Sequence, residues 1–241
     1  MQTIGLKILK IIIKMNKVEQ LTFPWSKPNN SCFDDFYFEK ANLSVLENLK
    51  GDDDLLIYGS SQVGKSSLLQ SLCNYCSEAN KSSLYIPLKE LNNHEAGILD
   101  DLENLNLVCI DDLEFIAGDM GWERAIFNLI NNCLLSECKI VFCSNINPSL
   151  LTFKLDDLFS RIQKINQMEV HPVKSENLYE AIKFFVDLRS INIGNKEISY
   201  LINHSRRSMG DLVTHINRLD KLSMQLKRKI TIPLIKKVTE N

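Results

Sequence analysis

The sequence predicts an α/β fold, a parallel five-stranded sheet flanked by helices, followed by a small all-helical domain. Three observations carry this. Short apolar runs alternate with helical-period segments as far as residue 170. From Ser175 onward only helical periodicity remains. One early apolar run ends in a glycine-bounded turn that opens directly into a helix. Strands alternating with helices imply parallel pairing with both sheet faces covered.

The strand candidates are Asp54–Tyr58, Ser83–Leu88, Leu105–Ile110, Lys139–Cys143 and Ile165–Val170, each a short apolar run bounded by polar or turn residues. Helical spacing runs over 65–80 through Leu68, Leu69, Leu72, Cys73 and Cys76. It recurs over 122–135 through Ile126, Leu129, Ile130 and Cys133, with a weaker segment at 95–103 and a short one at 155–162. Beyond these, Ser175 reads as an N-cap for a stripe of Leu178, Ile182, Phe185 and Leu188. Further helices fit 195–204, 208–226 and 233–239, with Pro233 near a helix start. The expected divisions are a flexible tail at 1–31, an α/β domain at 32–172 and a helical domain at 173–241.

The 241 residues can bury a sizeable core, and 44% hydrophobic with 24% charged content fits a globular protein. The net charge of -2 gives no global attraction to nucleic acid. The last third is locally basic, from Arg206 and Arg207 through Lys237, which suits a solvated helix face or a nucleic-acid surface. Seven cysteines scattered through apolar stretches read as buried free thiols in a reducing cytoplasm. Cys73 and Cys76 form a C-x-x-C without a second ligand pair, which argues against zinc. Ile4–Ile13 is apolar but broken by Lys7 and Lys10 and too short to span a bilayer, so no membrane role is expected. Residues 1–14 read as an upstream extension rather than a surface-lying amphipathic anchor.

The chemistry concentrates at Gly59, Ser60, Ser61, Gln62, Val63, Gly64, Lys65, Ser66 and Ser67. This stretch matches G-x-x-x-x-G-K-S/T in full and lies between a strand and a helix, as the motif requires. Its glycines let backbone N–H groups curl around an anion, and the helix N-terminus adds free amides and partial positive charge. Lys65 would reach the outer phosphates of ADP or ATP, and the Ser66 hydroxyl would bind Mg²⁺. An acid ending another strand should complete the metal site. Leu107-Val-Cys-Ile-Asp111-Asp112 supplies it: Asp111 for Mg²⁺ through water, and Asp112 to orient or deprotonate an attacking water. Asn145, ending the fourth strand, is either a turn residue before Pro148 or a polar group near the terminal phosphate.

With these landmarks the chain resembles AAA+ proteins of the DnaA type. Cys32-Phe33-Asp34-Asp35-Phe36 followed by Asn42 is similar to that family's entry segment, and Leu158-Phe-Ser160-Arg161 to its arginine-bearing segment. Within this group the chain resembles the Hda family, the regulatory inactivators of DnaA. Gln20-Leu21-Thr-Phe23-Pro24, Tyr85-Ile-Pro87-Leu88, Leu107 through Asp119 with Trp122 through Phe127, and Arg228 through Pro233 carry that likeness. Together they cover roughly 18–238.

The resemblance implies a function. Hda-like proteins bind ADP, dock on the DNA-loaded sliding clamp and stimulate hydrolysis of the ATP held by the DnaA initiator, which prevents re-initiation. Gln20, Leu21, Phe23 and Pro24 would be the clamp-binding peptide, unless they are an ordinary N-terminal tail. Asn145 would sense the γ-phosphate. Arg161 would be a finger reaching a neighbour's triphosphate, unless it only caps a short helix. The chain offers no room for an oligomerising N-terminal domain or a DNA-reading helix-turn-helix, which disfavours an initiator. One departure stands out: Ser208-Met-Gly210-Asp-Leu212 has Gly210 where the family's lid arginine aligns, with Arg206 or Arg207 as shifted substitutes. A helicase loader similar to DnaC, and a non-catalytic adaptor of clamp and initiator, are the competing readings. Contact with DNA through the clamp complex and self-association stay open.

Overall fold

A computed structural model of the chain describes residues 31–91, 94–206 and 208–239. The first α-helix among the described residues, α1, spans Leu43–Lys50. Strand β1 (Leu55–Tyr58) leads into α2 (Lys65–Glu78). Then come β2 (Ser83–Pro87), β3 (Leu107–Asp111), α3 (Met120–Ser136), β4 (Lys139–Ser144), α4 (Asp156–Lys164) and β5 (Asn166–Glu169). Four helices close the described residues: α5 (Leu178–Leu188), α6 (Asn195–His204), α7 (Met209–Leu226) and α8 (Ile232–Thr239).

The five strands are all parallel, in the order β2-β3-β4-β1-β5. β1 is flanked on both sides, with Ile57 beside Cys143 of β4 and Met168 of β5. In the next pairing Ile110 of β3 lies beside Phe142 of β4. The carboxyl ends of β1, β3 and β4 therefore come together, where open α/β sheets hold their ligands. Leu56, Ile110 and Phe142 are fully buried, so the central strands read as unbroken apolar runs. β5 is the partly exposed edge.

Several local details depart from expectation, each for a physical reason. The segment at 95–103 is not one helix but two short 3-10 turns, Ala96–Leu99 and Leu102–Asn104, separated by Asp101 at φ 66°. A left-handed residue cannot sit inside an α-helix. α3 starts at Met120 because Asp119 Oδ1 accepts from the N–H groups of Gly121 and Trp122. Ser175 is not a helix cap: a turn closed by Asn177 N–H on Lys174 O delays α5 to Leu178.

The described residues form two compact units. One holds 31–33, 44–59 and 65–170, and the other 34–43, 60–64 and 171–239. The core of the first lies on the sheet faces around Leu56, Ile110, Ile126, Phe142 and Ile162. In the second, Ile182, Leu201, Leu212, Ile216 and Ile235 form the core of the α5–α8 bundle. Its entry segment is tied to the bundle's start by two carboxamide and carboxylate clasps. Asn42 Nδ2 donates to His171 O while Asn42 Oδ1 accepts from His171 N–H, both at 2.9 Å. Glu39 accepts from Lys174 N–H and Asn177 Nδ2, and these bonds hold its carboxyl below the usual range. Among the described residues no helix is long and apolar enough to cross a membrane. All seven cysteines are free thiols.

Candidate nucleotide-binding site

The loop after β1 turns through backbone positions that most side chains avoid. Gln62 has φ 66° and Gly64 φ 98°. A Cβ on Gly64 would lie 2.4 Å from the Phe36 ring, so this position admits only glycine. Phe36 belongs to the entry segment, which gives that segment a physical role: it packs on the loop's last glycine. Also in the second unit, Gly210 faces Gln62, and a Cβ there would come within 2.6 Å of Gln62 Cβ. Arg206 is exposed, and Arg207 lies outside the described residues.

In the first unit, α2 opens with Lys65, which is 4% exposed. Its Nζ donates to Gly59 O and to Asn145 Oδ1, both at 2.9 Å. Ser66 is exposed at the first turn of α2 and Ser67 is half-buried. The ammonium is therefore held between the end of β1 and the residue that follows β4.

Asp111 ends β3 and is buried. Its Oδ2 accepts from the Tyr85 hydroxyl at 2.6 Å, and its Oδ1 from the Asp112 N–H at 2.9 Å. Burial and the Asp111 charge push the Tyr85 phenol far up, which keeps it a donor. Asp112 takes a left-handed conformation at φ 59°. Burial, followed by the charges of Asp111 and Glu114, pushes its carboxyl up to about 6.

Asn145 lies just past β4. Its Nδ2 donates to Glu114 Oε1 at 2.6 Å and to Asp112 Oδ1 at 3.3 Å, and its backbone N–H donates to Glu114 Oε2 at 3.2 Å. Asn147 caps the 3-10 turn Pro148–Leu150, its Oδ1 accepting from Ser149 N–H. Lys65, Asp112 and Asn145 are thus brought together, and Glu114 joins them. Glu114 was not legible as a member, although it stands three residues after Asp111 on the one-turn helix Leu113–Ile116.

Arg161 lies on α4 and is half-buried. The start of α4 is held by Glu123 of α3, which is fully buried. Glu123 accepts from the N–H groups of Gly118, Lys154 and Leu155 at 2.7–3.1 Å. Gln20, Leu21, Phe23 and Pro24 lie outside the described residues. A cavity of about 610 Å³ lies at the other end of the sheet, lined by Asp54, Cys76, Cys133 and Lys139, and takes in none of the candidate site residues.

The fit to a Mg–nucleotide can be judged from the donors present. Among the described residues no group of three or more His, Cys, Asp or Glu could hold a metal by itself. Ser66 and Asp111 would therefore serve Mg²⁺ only together with phosphate oxygens and water, which is how this hard cation is usually held.

A parallel sheet with a phosphate loop after its first strand, acids ending the third and a polar residue ending the fourth defines a P-loop protein of the AAA+ type. Residues 38–168 match the model of the bacterial DnaA ATPase domain, and residues 176–239 match that of the Hda lid domain. The chain belongs to the DnaA-related AAA+ family and is Hda-like. An uncharacterized protein of Haemophilus influenzae is 30% identical over 231 residues, covering 93% of this chain and 99% of its own length. Among solved structures, domain III of the Thermotoga maritima replication initiation protein DnaA is similar with a TM-score of 0.77 at 19% identity, covering 89% of this chain and 98% of that one. AMPPCP-bound DnaA from Aquifex aeolicus has a TM-score of 0.67 at 20% identity over 83% of this chain and 67% of that one. The Thermotoga maritima Holliday junction motor RuvB, with a TM-score of 0.63 at 16% identity over 88% of this chain and 72% of that one, shares the fold.

Proposed function

We propose that this chain is a cytoplasmic regulator of replication initiation that binds ADP or ATP with Mg²⁺ and stimulates hydrolysis of the ATP held by DnaA. The observation that carries the reading is the union of a DnaA-type ATPase domain with an Hda-type lid on one chain. The loop 59–67 would cradle the phosphates, and Lys65 would serve the outermost of them. Ser66 and Asp111 would hold Mg²⁺. Asp112 and Asn145 would face the terminal phosphate.

Arg161 would act outside its own subunit, stabilising charge on the triphosphate of a docked DnaA. Arginines supplied in this way accelerate hydrolysis about 10³–10⁵-fold in the GTPase cases. The Gln20–Pro24 peptide would tether the chain to the DNA-loaded sliding clamp. Its short length makes a modest affinity expected, raised by avidity where several copies bind one clamp.

The test is conversion of DnaA-bound ATP to ADP with clamp, DNA and this protein. The wild type should accelerate conversion, and Arg161→Ala should abolish the acceleration while keeping ADP binding. Acceleration that survives Arg161→Ala removes the finger role, and no acceleration by wild type removes the function. A second reading is supported by Gly210, which stands where the resemblance would put a lid arginine and which Gln62 leaves no room to enlarge. On that reading nucleotide only holds the fold of an adaptor, and the assay would show recruitment without conversion.

A further inference from the structure

Two cysteines at the amino ends of the strands stand side by side because of how α3 ends. Cys133 lies in the last turn of that helix, and Glu137 closes it with a left-handed backbone at φ 60°. The chain then doubles back, so that the N–H groups of Glu137 and Cys138 both donate to Cys133 O, the second at 3.2 Å. This turn sets the two thiols against each other. The Cys133 S–H donates to Cys138 Sγ, and the Cys138 S–H has Leu102 O at 3.9 Å.

The pair is closed to bulk solvent but open to a cavity. Cys133 is 1% exposed and Cys138 4%. Both line the space of about 610 Å³ beside Asp54, Leu107 and Lys139, a volume that admits a small organic molecule. A second hydrogen-bonded pair, Cys73 and Cys109, is fully buried and does not line it. The two sulfurs at the cavity also differ from each other. Donation from Cys133 holds the Cys138 thiol below its usual range, and the same bond holds the Cys133 thiol above its own. Burial and the carboxylates of Asp54 and Glu103 oppose ionisation of both. Cys138 is therefore the sulfur that ionises first.

We propose that Cys133 and Cys138 form a reversible dithiol site, which a small-molecule disulfide of the glutathione class enters through the cavity and converts to an intramolecular disulfide. Cys138 gives its proton to solvent, and its thiolate attacks one sulfur of the small disulfide. The other half leaves as a thiolate and takes up a proton. Cys133 then loses its proton and attacks Cys138 Sγ, expelling the second half, which is protonated in turn. The protein sulfurs lose two electrons and two protons, and the small disulfide gains them as two thiols. The sulfurs already hydrogen-bond, so reaching a separation of about 2 Å takes rotation of side chains and not movement of the backbone. In a reducing compartment such a bond forms transiently and reports the redox state. The inference is independent of the nucleotide reading.

The experiment treats the folded full chain with oxidised glutathione, then alkylates it and digests it with trypsin. Wild type is compared with Cys76→Ser, which removes the third thiol of the cavity wall. Residues 125–139 leave as one peptide that carries both cysteines. In both proteins that peptide should be lighter by two hydrogens and refuse the alkylating reagent, and dithiothreitol should reverse both changes. Cys133→Ser should stop the reaction at Cys138 bearing one glutathione, and Cys138→Ser should leave Cys133 reduced. The peptides bearing Cys73 and Cys109 should stay reduced throughout. Circular dichroism should be the same before and after oxidation, because the sulfurs join where they stand. A peptide 125–139 that stays reduced at every ratio of oxidised to reduced glutathione overturns the proposal. So does a glutathione adduct that accumulates on Cys138 while Cys133 is present, or oxidation that proceeds only when urea has unfolded the chain.

Discussion

Gly210 and Gln62 share one space: a Cβ on Gly210 would lie 2.6 Å from Gln62 Cβ and 2.8 Å from its Oε1. The resemblance would place a lid arginine at this position, and the loop here leaves no room even for its Cβ. Gln62 itself has a left-handed backbone at φ 66°. Gly210→Ala would gain up to about 1 kcal/mol of helix propensity. The clash with a Cβ, not a flexible side-chain end, should cost about 1–3 kcal/mol. We expect the clash to win. Gly210→Ala should lower stability in urea and weaken ADP binding several-fold. Gln62→Gly/Gly210→Ala should restore both, since it removes the Cβ and relieves the positive φ. A Gly210→Ala protein as stable as wild type would contradict this account.

Glu123 explains much of the segment that made the sequence look Hda-like. Its buried carboxylate gathers the N–H groups of Gly118, Lys154 and Leu155, and so ties α3 to the start of α4, the helix that bears Arg161. Glu123→Ala orphans several donors at once and should destabilise the chain by about 3 kcal/mol. Glu123→Gln should lose somewhat less, because one carboxylate oxygen becomes a donor facing donors. Chemical denaturation checks both, and a loss below about 0.5 kcal/mol would show the clasp to be unimportant.

Asp112 gives a pH dependence of definite sign. Its folded carboxyl is pushed up to about 6 by burial and by Asp111 and Glu114, above the ordinary 3.8. The native state then holds its proton more tightly than the unfolded chain. Its contribution to stability is full below about pH 4 and is lost as pH rises through about 6. Solvent screening at a half-buried site reduces the effect to about 1–2 kcal/mol. Asp112→Asn keeps an acceptor for Asn145 and tolerates the left-handed backbone. It should be more stable than wild type at pH 7.5 without nucleotide, with the difference falling by about half at pH 5. A difference that is flat in pH would contradict the assignment.

The fold was legible where burial is continuous. Val108 to Ile110 and Ile140 to Phe142 are runs that only a sheet covered on both faces would bury. The G-x-x-x-x-G-K-S pattern at 59–66 is readable in the sequence because its glycines, lysine and serine lie close together along the chain. Less legible were features set by distant partners. Glu114 joins Asn145 across 31 residues, and Glu123 joins Leu155 across 32. No local periodicity records such pairings. The bend at Asp101 was missed because an aspartate tolerates a helix or a left-handed turn, and tertiary packing decides between them. Ser175 failed as a cap because the turn at Lys174–Asn177 gives Asn177 to Glu39 instead.

Calorimetric titration of Mg²⁺–ADP into wild type and Lys65→Ala tests the central claim most directly. Lys65 joins the loop through Gly59 O to the end of β4 through Asn145. The account predicts one bound ADP per wild-type chain and a loss of about 100-fold or more in affinity for Lys65→Ala, with an unchanged circular dichroism spectrum. A wild-type chain that binds neither ADP nor ATP, or a folded Lys65→Ala chain that binds ADP equally well, would contradict it.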